Sequence, residues 1–281
     1  MFKLIADSGS TKTDWLIDDE EHGIIEASTN GINPVRDATE TIRLILMDEL
    51  LPRIPSTSMC DEIHFYGAGC MEPYTRNLVC VLQDIFPNAG VTADSDLLGA
   101  ARALCGTKPG IVAILGTGSN SGYYDGKDIV DHVSPLGFIL GDEGSGAVLG
   151  RTLVGMLMKD AMPTWLRDEF FRYHNFTLQD VIDKVYRQTR PNLFLASLVP
   201  FIGEHRDVPE VHAMLVDAFR LFLTRNIKHY KRAEMPVNFV GSIADIYKDE
   251  LEAAFRAENM ILGKILRRPI HEIAQYHKEN G

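Results

Sequence analysis

The sequence predicts a duplicated α/β fold, and three observations predict it. A short apolar stretch at residues 2–6 runs directly into the glycine-hydroxyl loop Asp7-Ser8-Gly9-Ser10-Thr11-Lys12-Thr13-Asp14. A second apolar stretch at 111–115 runs into Gly116-Thr117-Gly118-Ser119-Asn120-Ser121. After each loop the chain returns through two more strand-like runs, so strands come in trios rather than in strict β-α alternation. That pattern argues against a Rossmann sheet, and neither a G-x-G-x-x-G helix opening nor a Walker A loop is present.

In the first half, residues 2–6, 13–18 and 23–28 supply three strands. Residues 39–51 read as a helix, because Ile42, Ile45, Leu46 and Leu50 share one face and Pro52 stops it. A strand at 62–66 leads into Gly67-Ala68-Gly69. A helix over 74–86 follows, with Leu78, Leu82, Ile85 and Phe86 inward and Pro87 past its end. Residues 91–93 give a short strand and 97–104 an Ala-rich helix. The second half repeats the order with strands at 111–115, 121–124 and 129–133. Asp125-Gly126 reads as a hairpin-turn pair with both central positions at positive φ. A helix at 145–158 comes next, then a mainly helical stretch from 163 to about 235. Within it, Thr177-x-x-Asp180 is a helix cap and a long helix lies near 210–231. Residues 237–240 form a strand ending in Gly241-Ser242, 247–257 a helix, and 270–279 a final helix, with a hinge expected near 105–110.

A chain of 281 residues, 45% of them apolar and 24% charged, can bury a substantial core without staples. The net charge of −11, with no basic run beyond 264–268, argues against nucleic acid as a main partner, since phosphate neutralisation needs a cationic face. Cys60, Cys70, Cys80 and Cys105 form no C-x-x-C and have no nearby pair of histidines. They are expected as reduced thiols of a cytoplasmic protein, and zinc is a poor fit. Neither a secretory leader nor a membrane span of about 18–20 apolar residues is expected.

A tight turn rich in Gly, Ser and Thr aims several backbone N–H groups at one concavity, which suits phosphate oxygens. Gly9 and Gly118 allow close backbone approach, and Ser8, Ser10, Thr11, Thr117 and Ser119 add hydroxyls. Lys12 adds a positive charge. Asp7 is the candidate Mg²⁺ residue, because Mg²⁺ keeps most of its waters and uses few carboxylates. Two matched loops in one chain predict one polyphosphate gripped from both sides. In Asp94-Ser95-Asp96, Asp96 at a helix start is either an N-cap or a general base for an attacking hydroxyl, with Asp94 its rival for the second role. Gly141-Asp142-Glu143-Gly144 sets two carboxylates before a helix. They suit the helix N-terminus, sugar hydroxyls or a metal-bound water. Asn33, ahead of Pro34, is a turn residue or a hydroxyl ligand, and Asn120 is a second candidate ligand. Gly241-Ser242 would let a flat base or ribose approach the backbone.

Taken in order, Asp7 to Thr13, Asp96-x-x-Gly99, Gly116 to Asn120, Gly141-Asp142-Glu143-Gly144-Ser145 and Val240-Gly241-Ser242 resemble the N-acetylglucosamine kinase family. That family sits in the superfamily of actin, sugar kinases and heat-shock chaperones. The resemblance covers about residues 3–245, and the pairing of G-T-G-S-N with G-D-E-G-S is its specific part. It implies a duplicated actin-like ATPase (ribonuclease H-like) fold, two lobes with a nucleotide cleft between them. The lobes would be 1–107 with about 266–281, and 108–265 with a helical insertion at about 163–235. It implies ATP and Mg²⁺ as cofactors, held by Asp7 to Thr13 and by Gly116, Thr117, Gly118 and Ser119, with Gly241 and Ser242 beside the adenosine. Asp96 would be the base, and Asn33, Asn120 and Asp142 would bind sugar hydroxyls, with Glu143 beside them. The implied reaction moves the γ-phosphate of ATP to a hydroxyl of an amino sugar, N-acetylglucosamine first among them. A homodimer is in keeping with such a fold.

Two stretches depart from the family pattern. Ser134-Pro135-Leu136-Gly137-Phe138 replaces adjacent glycines and a Trp in a region that shapes the sugar pocket, and 269–274 lacks a Gly-Ala step. The acceptor sugar and the phosphorylated hydroxyl stay open. Two other classes also stay open. One is an ATPase that activates a CoA-ester reductase or dehydratase, which needs thiolates for an iron–sulfur cluster. The other is a non-catalytic sugar or nucleotide sensor, although no DNA-binding segment is expected ahead of residue 2.

Overall fold

The computed structural model describes residues 1–19, 23–54 and 56–280, and in them two five-stranded sheets form. The first sheet contains β1 (Phe2–Ser8), β2 (Lys12–Asp19), β3 (Gly23–Asn30), β4 (Cys60–Gly67) and β5 (Gly90–Ser95). Their order is β3-β2-β1-β4-β5, with β1 antiparallel to β2 and parallel to β4. The second contains β6 (Gly110–Leu115), β7 (Ser119–Tyr124), β8 (Ile129–Val133), β9 (Val237–Val240) and β10 (Leu262–Leu266), in the order β10-β9-β6-β7-β8. Taken from equivalent edges, each sheet runs third, second, first, fourth, fifth strand of its half. The duplication expected from the loops is therefore one of topology.

The chain divides into two compact units. One is Met1–Pro109 with Tyr124–Ile129 and Arg268–Gly281; the other is Gly110–Tyr123 with Val130–Arg267. Each has its own core. In the first, Leu4, Ala6, Trp15 and Ile17 of the sheet meet Ile42, Leu46 and Leu50 and the Leu78, Val81 and Leu82 face of the next helix. In the second, Ala113, Leu115 and Phe239 meet Leu149, Leu153, Phe219 and Phe222. Large side chains fill both cores, and burial of this kind contributes roughly 1.5–3 kcal/mol for each.

Several local expectations change. The 39–51 helix is α-helical only over Thr39–Ile45, widens into a π turn at Leu46–Leu50 and tightens into a 3-10 turn at Leu51–Arg53. Ile42, Leu46 and Leu50, four apart, are the buried set, while Ile45 is only partly covered. Pro52 inside the last turn has no N–H to extend the ladder. At Asp125-Gly126 only Gly126 has positive φ, +107°. The Asp125 carboxylate instead accepts from the Lys127 and Asp128 N–H groups at 2.8 Å each, which opens the turn into a longer loop. Strand β10 was not expected: it is short, contains Gly263 and Lys264, and lies at a sheet edge. Asn238 Oδ1 secures it by accepting from Lys264 N at 2.9 Å. A short helix at Gly137–Leu140 was also missed. The long helix ends at Arg225 before a 3-10 turn at Ile227–Tyr230. The Thr177/Asp180 capping box is present as expected.

Helix Gly146–Met158 lies against helix Pro191–Ala196 through Gly150. A Cβ at that position would come 2.0 Å from Leu195 O. Gly150→Ala is expected to force these helices apart and cost roughly 1–3 kcal/mol, read as a lower denaturant midpoint.

Candidate active site

The first loop closes β1 onto β2. Gly9 N donates to Lys12 O at 2.9 Å, and Gly31 lies beneath: a Cβ there would be 2.4 Å from Gly9 O. The two-residue period of β1 puts Ser8 on the buried face with Leu4 and Ala6, directly opposite Thr13. Their hydroxyls are 2.6 Å apart, Ser8 donates to Ile32 O at 2.9 Å, and Ile32 N donates back to Ser8 Oγ at 3.0 Å. Ser8 and Thr13 therefore fix the loop from inside. Gly9, Thr11 and Lys12 are exposed and Ser10 half-exposed, leaving the loop's tip to face a ligand.

Asp7 is half-buried on the other face of β1, and burial with the nearby charges of Asp96 and Asp14 pushes it up to about 7, against the pull of Lys12 and Arg268. Asp14 has the opposite fate. Burial raises it, but hydrogen bonds from Lys12, Arg268 and Ser28 outweigh that and hold it below the usual carboxylate range. Lys12 Nζ lies 2.8 Å and Arg268 Nε 3.0 Å from Asp14 Oδ2. Among the described residues no group of three or more His, Cys, Asp or Glu side chains could hold a metal. An under-neutralised Asp7 supplying one carboxylate fits Mg²⁺, whose remaining ligands are water and phosphate.

Asp96 begins helix Asp96–Cys105, but it is not the cap. Ser95 has the extended cap conformation and accepts from Leu98 N at 3.2 Å. Asp96 Oδ1 accepts from Leu97 N at 2.8 Å, and burial raises its carboxyl to about 6. Asp94 lies 3.7 Å from Arg102 Nη1. Asn33 serves as a turn residue: its Oδ1 accepts from Val35 N at 3.0 Å and Arg36 N at 3.2 Å. Its amide Nδ2 has no hydrogen-bond partner among the described residues and can donate to a hydroxyl. Arg36, which no motif marked, ties this turn to the loop by donating to Ser10 O at 3.4 Å and Gly31 O at 3.3 Å.

In the second unit Gly116 N donates to Gly118 O at 2.9 Å, closing the matching hairpin. The helix after Ser145 supports it: Gly146 N donates to Gly116 O at 2.8 Å and Ala147 N to Thr117 O at 3.1 Å. Asp142 sits at φ +52°, its N–H donates to Pro135 O at 2.9 Å, and its Oδ1 accepts from Ser119 N at 3.4 Å. Burial raises its carboxyl to about 6, with the Glu143 charge adding to the effect. Glu143 differs. Burial raises it, but Arg225 at 2.9 Å and Asn226 at 3.2 Å occupy one oxygen each and hold it low. Asn120 Oδ1 faces His132 Nε2 at 2.8 Å. Gly241, φ +123°, lies so close to β6 that a Cβ would be 2.2 Å from Leu115 O. A cavity of about 340 Å³ brings Gly116, Thr117 and Ser242 together with Ser197, Val199 and Pro200. The last three come from the helical insertion and carry no motif by which sequence could have found them.

These features, a doubled sheet order with a hairpin loop after the first strand of each half, define an actin-like ATPase. No protein-family model matches the sequence, and no curated protein matches it. Solved structures do. MreB 5 of Spiroplasma citri, bound to AMPPNP, is 11% identical over 99% of this chain and 95% of its own, with a TM-score of 0.60. A candidate N-acetylglucosamine kinase of Chromobacterium violaceum is 20% identical over 98% of each chain, with a TM-score of 0.76. Both show the fold. A candidate N-acetylglucosamine kinase of Porphyromonas gingivalis is 44% identical over 99% of each chain, with a TM-score of 0.96. The chain belongs to the N-acetylglucosamine kinase family.

Asp7 has a raised folded-state value, so its ionisation costs stability as pH climbs from the ordinary 3.8 through about 7 and costs nothing below that window. Asp7→Asn is expected to melt higher than the unsubstituted protein at about pH 8, with the difference vanishing below about pH 4. Thermal unfolding of the unliganded proteins across that range measures it.

Proposed function

We propose that this protein is an ATP-dependent sugar kinase that transfers the γ-phosphate of ATP to a hydroxyl of an amino sugar, with N-acetylglucosamine as the acceptor. The observation that carries the reading is Asp96. With Ser95 as the cap, its carboxylate is not needed to start the helix, and its value of about 6 suits a base that works near neutral pH. Asp94, engaged by Arg102, is the weaker candidate. Membership of the family supports the same assignment.

In this reading the phosphates are bound at Gly9 to Lys12 and at Gly116 to Ser119, where the Gly9, Gly116 and Ser119 N–H groups shape the loops from within. The adenosine lies in the 340 Å³ cavity against Ser242, where Gly241 permits the close turn. Asp7 holds Mg²⁺, which when bound neutralises phosphate charge. Asn33 Nδ2, Asn120 and Asp142 orient the sugar, while Glu143 keeps the Asp142 loop in place through Arg225 and Asn226. Asp96 accepts the proton of the attacking hydroxyl as its oxygen bonds to the γ-phosphorus and ADP leaves in line.

ADP release with Mg-ATP is expected to depend on N-acetylglucosamine in a panel that also holds N-acetylmannosamine, N-acetylmuramic acid, glucosamine, glucose and no sugar. Asp96→Asn is expected to keep nucleotide binding and lose about 10²–10⁴ in turnover. Release that ignores every sugar, or full turnover in that variant, refutes the respective assignment.

A further inference from the structure

We infer that Tyr66 and Arg102 are positioning residues for Asp96, and that the C-terminal helix locks them. The inference rests on the kinase reading of Asp96. Tyr66 stands in β4 with Asp7 of β1 on one side and Asp94 of β5 on the other. Its side chain is the floor of helix Asp96–Cys105. A Cβ at Gly99 would come 2.8 Å from both Tyr66 Cβ and Cγ, so the helix backbone rests directly on this residue. Asp96 lies one turn before Gly99 and Arg102 one turn after it, close to a single face of the helix.

Arg102 fastens that contact. Its Nη1 donates to Tyr66 Oη, and its guanidinium lies 5.5 Å from the Tyr66 ring centroid and 5.3 Å from that of Tyr276. The same phenol oxygen is hydrogen-bonded to His277 Nε2 at 2.8 Å. His277 belongs to helix Ile270–Asn280 and stacks on His64 at 3.7 Å between ring centroids. His64 is anchored in turn by Thr92 at 2.9 Å and Glu62 at 3.1 Å, and Lys3 pairs with Glu62 at 3.1 Å. At the far end of the Asp96 helix, Tyr124, which clusters with the first unit, donates to Gly106 O at 2.9 Å. The depth and rotation of the helix are thus set by Tyr66, and the position of the Asp96 carboxylate follows. The same guanidinium engages the rival carboxylate of Asp94.

The test compares Tyr66→Phe and Arg102→Lys with the unsubstituted protein in the ADP-release assay, alongside carbon-13 NMR titration of the Asp96 carboxyl and amide exchange across 96–105. Both variants keep the packing volume close to native. The expected result is a loss of about tenfold or more in kcat, a KM for ATP within about twofold, and a displaced Asp96 titration with faster helix exchange. An unchanged Asp96 titration overturns the inference, whether kcat holds or falls together with the unfolding midpoint. If the unsubstituted protein shows no sugar-dependent turnover, the kinase reading fails. The titration and exchange measurements still decide whether Tyr66 positions Asp96.

Discussion

Carboxylates held out of water are the constraint on which the first unit depends. Asp96 and Asp14 add their charges to the burial of Asp7, and Lys12 and Arg268 offset that effect. Both cations are committed to Asp14. That commitment decides the rest. Asp14 is held below the usual carboxylate range, Asp7 is left raised, and Asp96 is raised by its own burial. Raised carboxylates of this kind point to a functional site.

The second unit applies the same logic to Asp142 and Glu143. They are adjacent in sequence, yet their environments push them apart. Arg225 and Asn226 saturate Glu143, whereas Asp142 receives only a long bond from Ser119 and the burden of burial. The loop around them is tight enough to need φ +52° at Asp142 and no side chain at Gly141, whose Cβ would be 2.1 Å from Pro135 O. Glu143 is tied to the end of the long helix, and Asp142 meets the Ser119 N–H of the second hairpin.

Much of this was legible in the sequence because it is local. Periodicity located the strand trios, and glycine with hydroxyl residues located both hairpins and the Gly141–Ser145 loop. The shape of the Ser8–Thr13 pair needed only one further step, since extending β1 by two residues places Ser8 on the buried face. What stayed hidden depends on distance along the chain. Arg268 reaches Asp14 from the C-terminal end, and Arg225 reaches Glu143 from the end of the long helix. Val199 and Pro200 enter the cavity from an insertion whose own pattern is that of ordinary amphipathic helices. The Asp125 turn failed for a different reason: a side-chain carboxylate competed successfully for backbone N–H groups.

The duplicated topology makes the difference between the two hairpins informative. Asp7 and Gly116 both directly follow the apolar run of their first strands, but one is a half-buried carboxylate and the other has no side chain. The first hairpin requires a support of charges, supplied by Lys12, Asp14 and the returning Arg268. The second is supported by the Gly146 and Ala147 N–H groups, which donate to its carbonyls, and by the Asp142 carboxylate, which accepts from Ser119 N. A helix N-terminus is thereby spent on holding the second loop's shape rather than on binding an anion directly. The same strand order thus carries a carboxylate directly after the first strand in one half and a glycine in the other. Halves of equal topology therefore hold their hairpins by different chemistry, ion pairs at Asp14 in the first and a helix N-terminus in the second.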